Sequence, residues 1–128
     1  MTRLRTTVEV REERLRREPA FRAEWERTAL ARAVALRVLG YRLDHDQTHA
    51  ELARQLGMRQ SAIARLELGE HNPSVETLSR LSSVLGMEFL LHVAPANRPT
   101  YWPDPPAEDS TIREDVRVGD SAILAVAR

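Results

Sequence analysis

Apolar positions recur along this chain at two different periods, and the change of period divides it. From Phe21 the spacing is helical: Phe21, Trp25 and Ala29 lie four apart, and Leu30, Val34, Val38 and Tyr41 carry the stripe onward. This predicts an amphipathic helix, as one rod or two pieces, opened by Pro19, a residue that suits a first helical turn. Upstream, Glu9 to Glu18 is charged almost throughout and forms a helix only with outside support. Downstream, LDHDQ (43–47) breaks the pattern, and Thr48-His49-Ala50-Glu51 then has the spacing of a capping box, in which Thr48 caps the exposed amides and Glu51 reaches back.

The next helix runs through Leu52, Ala53 and Leu56 and stops at Gly57, a residue able to take the left-handed conformation. Residues 59–68 form another helix closed by Gly69. After EHNP comes a helix over Ser74–Leu85 that buries Val75, Leu78, Leu81 and Leu85 and stops at Gly86. Glu88 to Val93, bounded by Pro95, is too short for a helix and reads as a strand. A lone strand leaves its edges unpaired, so Phe89, Leu90, Leu91 and Val93 are expected to pair with a second copy across a two-fold axis. Residues 96–110 are rich in proline and lack a period, which predicts an extended linker. VRVGDSAILAVA places two β-prone runs around Gly119-Asp120, a plausible hairpin turn.

Two of these helices form a unit. Thr48 to Gly69 is a pair of short helices around a tight turn, with Ala53 small enough for a close crossing. Leu52, Leu56, Ile63 and Leu66 point to one core, which leaves Arg59, Gln60, Ser61 and Arg65 outward. Arginine donates two bonds to guanine, glutamine pairs with adenine, and serine adapts to bases or phosphates. The first turn of a recognition helix and the position one turn later are the ones that reach the major-groove floor.

THAELARQLGMRQSAIARLELGEHNPSVETLSRLSSVLG resembles the Cro and phage-repressor (Xre) helix-turn-helix family, with its Leu-Ala helix, glycine turn, Glu-x-Gly ending and Asn-Pro-Ser. The resemblance implies an all-α fold: a five-helix DNA-binding domain over 29–87, a charged helical extension over 1–28 and a dimerisation strand over 88–95. A proline-rich linker with a C-terminal hairpin follows over 96–128. It places base contacts on Gln60, Ser61 and Arg65, and DNA backbone contacts on Thr48, His49, Arg59 and Asn72. His49 stands where the family has glutamine, and Arg59 stands at a cap position where serine or threonine is usual. The flanks resemble HigA-type antitoxins by layout. That implies a homodimer on an inverted-repeat operator, in double-stranded DNA, and a cognate toxin as partner. A stand-alone Xre regulator and a protein-interaction adaptor on the same fold remain open alternatives.

Composition adjusts this picture at a few points. The 19 basic residues, all arginine, balance 19 acids, so bulk charge does not drive nucleic-acid binding. The charge is uneven, with 11 arginines against 8 acids in residues 1–47 and 4 against 6 in residues 96–128. The acidic tail offers a surface to a basic partner. Phe21 and Trp25 read first as core or dimer packing and second as partner anchors. Tyr101 and Trp102 fit both an apolar groove of the same domain and a partner. Removing residues 97–128 is therefore expected to spare DNA binding while weakening toxin capture. The chain has no cysteine, which excludes disulfides and thiolate metal sites. His45 and His49 near Asp44 and Asp46 straddle a loop and a cap without a second ligand set, and no metal or other cofactor is expected. No nucleophile elbow or glycine-rich phosphate loop occurs, so no enzyme is expected. The opening residues have no apolar run, and a cytoplasmic protein with no membrane partner is expected.

Overall fold

In the computed structural model, residues 4–97 and 111–128 are described. Among them the chain forms six helices and a three-stranded sheet: α1 (Thr7–Arg17), α2 (Pro19–Arg27), α3 (Ala29–Asp44), α4 (His49–Leu56), α5 (Gln60–Leu68), α6 (Val75–Leu85), β1 (Phe89–Pro95), β2 (Ile112–Val118) and β3 (Ser121–Ala127). The all-α expectation is corrected by the sheet. Four helices, not five, lie between residues 29 and 87.

The sheet also corrects the expectation of a lone strand. Its order is β1-β3-β2, antiparallel throughout. β3 fills one edge of β1 in the register Phe89↔Ala127, Leu91↔Ala125 and Val93↔Ile123. Phe89, Leu90, Leu91 and Val93 therefore belong to a strand already paired within the chain. Strands β2 and β3 turn at Gly119-Asp120, where Gly119 takes φ +59°. The chain end locks onto the start of β1 through paired backbone bonds between Glu88 and Arg128, and the Arg128 guanidinium also donates to the Glu88 carboxylate.

Helix α3 is the axle. It buries Leu30, Ala33, Val34 and Val38 among others, while Leu36 and Leu43 stay exposed toward its C-terminal half. α5 packs on one side of it and β2 and β3 on another. The core joins Val34 and Val38 to Leu52, Leu56, Ile63, Leu81 and Met87, and to Ala125 and Ala127 of β3. Small side chains set the spacing. A Cβ added to Gly69 would lie 3.3 Å from the Ala35 Cβ, so α5 ends hard against α3. Val75, expected in the core, is 74% exposed, because the first position of α6 faces outward.

The extension is two helices broken at Glu18-Pro19, and a further break at Thr28 separates α2 from α3. Thr6 and Glu9 form a capping box, and Arg5 and Arg17 hold the Glu13 carboxyl below its ordinary pKa. The T-x-x-E spacing of Thr6 and Glu9 was the available signal. α1 buries no residue. It rests on α2 through Arg14 over the Phe21 ring at 3.9 Å and Arg11 over the Trp25 ring at 5.1 Å. Arg32 of α3 covers the other side of Trp25 at 3.7 Å and pairs with Glu114 of β2. Burial lowers the Arg32 pKa, and the Glu114 carboxylate opposes that shift.

Candidate nucleic-acid interface

The turn between α4 and α5 is built from local rules. Thr48 accepts from the Glu51 amide at 3.1 Å, and the Glu51 carboxylate returns the bond, so the capping box fixes the start of α4. Gly57 closes α4 with φ +64°, a conformation that costs glycine little. Its carbonyl accepts from Arg80 of α6 at 3.1 Å, which ties the turn to the last helix. α5 then starts at Arg59, whose backbone is extended and whose side chain caps nothing. Ala53 and Ile63 are buried where the two helices meet.

One acid anchors α5 from behind. Glu67, nine-tenths buried, accepts from Arg42 Nε of α3 at 2.7 Å and also pairs with His49 Nε2 of α4. Arg42 further donates to the Gln47 carbonyl at 3.1 Å. A single carboxylate thus fixes the relative positions of three helices. Its role escaped the sequence reading, although an acid flanked by Leu66 and Leu68 near a helix end was a visible signal.

The outward face of α5 is free. Arg59, Gln60, Ser61 and Arg65 are all exposed, and none makes a side-chain hydrogen bond or ion pair among the described residues. Residues 48–69 hold Arg54, Arg59 and Arg65 against Glu51 and Glu67, both engaged in the cap and the anchor. A chain of zero net charge therefore presents a locally positive face.

The four residues expected at the DNA backbone divide differently. Arg59 is unengaged at the start of α5. The Thr48 hydroxyl is taken by the capping box and the His49 ring by Glu67, which leaves the first-turn amides of α4 as what this corner offers a phosphate. The Asn72 amide also serves the fold. Its Oδ1 accepts from the Ala31 amide at 3.1 Å and its Nδ2 donates to the Arg27 carbonyl at 3.0 Å. Thr28 makes no side-chain cap for α3, so Asn72 supplies that cap from 41 residues away. Asn72→Ala is expected to lower stability by about 1 kcal/mol, the usual worth of a cap, in urea denaturation.

Among the expected partner anchors, Phe21 and Trp25 are half-buried and meet at 6.2 Å between ring centres, covered by Arg14, Arg11 and Arg32. Tyr101 and Trp102 lie outside the described residues. His45 stacks on Tyr41 at 3.9 Å, away from His49's contact with Glu67. Among the described residues no group of three histidine or acidic side chains is placed to hold a metal ion, and no helix is long and apolar enough to cross a membrane.

The comparisons agree with this geometry over part of the chain. Residues 39–91 match the helix-turn-helix family model. That interval runs from the second half of α3 through α6 into β1 and contains the whole of the α4–α5 unit. No curated protein and no solved structure matches the chain.

Proposed function

We propose that this protein is a sequence-specific DNA-binding regulator whose reading element is α5. The observation that carries the proposal is the contrast between the two sides of that helix. Ile63 and Glu67 fix it from behind, while the exposed Arg59, Gln60, Ser61 and Arg65 make no side-chain hydrogen bond or ion pair among the described residues. Gln60, Ser61 and Arg65 read base edges. Arg59 and the start of α4 hold the phosphates, where exposed helix amides favour anions. No enzymatic role is proposed.

The regulator acts as a dimer on an inverted repeat, with recognition helices about 34 Å apart. The two outer edges of the sheet support β1 as the dimer contact. β2 shows exposed Arg113, Asp115 and Arg117, and charge guards an edge strand against pairing. β1 shows exposed Leu91 and Val93 instead. The finer reading is an antitoxin that neutralises a cognate toxin and represses its own operon, in the cytoplasm. The lightly seated α1, with Val8 exposed on it and Leu4 exposed just before it, supports a partner contact there. A stand-alone regulator is the second reading, favoured by the internal cover over Phe21 and Trp25.

The test is a gel-shift titration on the promoter of this protein's own gene, with single and inverted half-sites. Arg65→Ala is expected to weaken binding by about 1–3 kcal/mol and to relax preference at one base position. Unchanged sequence preference in that variant excludes Arg65 as a reader. Co-purification with the product of the neighbouring reading frame distinguishes the antitoxin from the stand-alone regulator.

A further inference from the structure

The reading face has a hollow beside it that hydrogen bonding does not explain. A pocket of about 210 Å³ lies between α5, the loop before α6 and α6 itself. Met58, Ala62, Leu66 and Pro73 form apolar walls, and Arg65 stands at the rim. Ser61 and Arg65 are one turn apart on α5, and Ala62 is the next residue round, so the hollow opens beside the face that carries them.

The polar groups around it are mostly engaged elsewhere. The Asn72 amide caps α3, and the Thr77 hydroxyl accepts from Ser74 at 3.1 Å. His71 is exposed at the outer end. The apolar walls suit an apolar group, and Arg65 suits an acceptor beside it. In the major groove the base edges offer one apolar group, the thymine C5 methyl, and guanine O6 and N7 are the acceptor pair that arginine takes.

We propose that this hollow is a specificity subsite for the C5 methyl of a thymine next to the guanine read by Arg65. The inference rests on α5 being the reading helix. Gln60 and Ser61 discriminate by hydrogen bonds. The hollow discriminates by shape, so cytosine at the thymine position loses the methyl contact and gains nothing from the walls.

The test uses the full-length protein and its operator duplex, with each half-site thymine replaced in turn by deoxyuridine, which removes only the methyl. At one thymine per half-site, affinity is expected to fall about fourfold, the factor that one buried methyl carries. Substituting 5-methylcytosine for that deoxyuridine restores the methyl and is expected to recover part of the loss. Ala62→Val, which fills the hollow from a half-buried position, is expected to abolish the difference between thymine and deoxyuridine, with a melting curve to show that the variant is folded. Equal binding of every deoxyuridine duplex, with sequence preference intact, overturns the subsite and leaves the reading helix standing. Loss of all sequence preference in the parent protein overturns the reading helix and the subsite with it.

Discussion

A chain ending at Ser110 is expected to lose its cooperative fold and, with it, an ordered recognition helix. The cut removes β2 and β3, two of the three strands, and takes Leu124, Ala125, Val126 and Ala127 out of buried positions. Ala125 and Ala127 sit in the same core as Val34, Ile63 and Met87, and Phe89 and Ile112 pack against it. The cut also removes Glu114, the carboxylate partner of the Arg32 guanidinium that lies over Trp25, and with Arg128 it removes the lock on Glu88. Burying one aliphatic side chain is worth about 1.5–3 kcal/mol, and a domain's whole stability is about 5–15 kcal/mol. Several such losses together exceed what the helices retain. The expected readings are a broad, non-cooperative thermal transition in circular dichroism and no gel shift on operator DNA. A truncated chain that melts cooperatively and binds as before would overturn this account and return residues 111–128 to the dispensable tail that the sequence alone predicted.

Glu67→Ala carries the second largest effect. The carboxylate faces Arg42, whose side chain is 17% exposed, and His49, and is itself 9% exposed. Removing it leaves the Arg42 charge half-buried, with the Gln47 carbonyl as its remaining acceptor. Removing one member of a buried pair costs more than the pair contributes, because the survivor stays desolvated. With partial exposure taken into account, the loss is expected at about 2–4 kcal/mol, a fall of about 10 °C in the melting midpoint for a chain of this size. Glu67→Gln keeps an acceptor for Arg42 and is expected to lose less. Below its transition, the Glu67→Ala protein is also expected to bind operator DNA more weakly, since α5 is then held by Ile63 and Leu66 without its polar anchor. An unchanged midpoint shows the triad to be ornamental.

Much of the α4–α5 unit was legible because its signals are local. Thr48 and Glu51 are three residues apart, as are Thr6 and Glu9, and a cap needs nothing beyond that spacing. Gly57, Gly69 and Gly86 stop their helices in the left-handed conformation with φ between +64° and +73°, and Ser74 caps α6 by accepting from Thr77. The outward set Arg59, Gln60, Ser61 and Arg65 followed from the periodicity, since Ile63 and Leu66 fix which side of α5 faces the core. The capping bonds of Asn72 were not legible, for the opposite reason. Its partners at Arg27 and Ala31 lie 45 and 41 residues away, and no short pattern records a contact of that span.

The sequence by itself determined that Gly57, Gly69 and Gly86 end their helices, which face of α5 is polar, and that Glu88 to Val93 and the two runs around Gly119-Asp120 are β-prone. Each depends on periodicity, caps and turn residues, which act over a few neighbours. Only the tertiary structure decided that β1 finds its partner in β3 of the same chain, that Glu67 joins three helices, and that the polar side chains of Thr48, His49 and Asn72 take part in holding the fold. The β1–β3 pairs join positions 26 to 38 residues apart, the Glu67 contacts 18 and 25, and the Asn72 bonds 41 and 45. Which of several chemically equivalent partners is chosen depends on how α3 places them, a property of the whole packed core rather than of any segment.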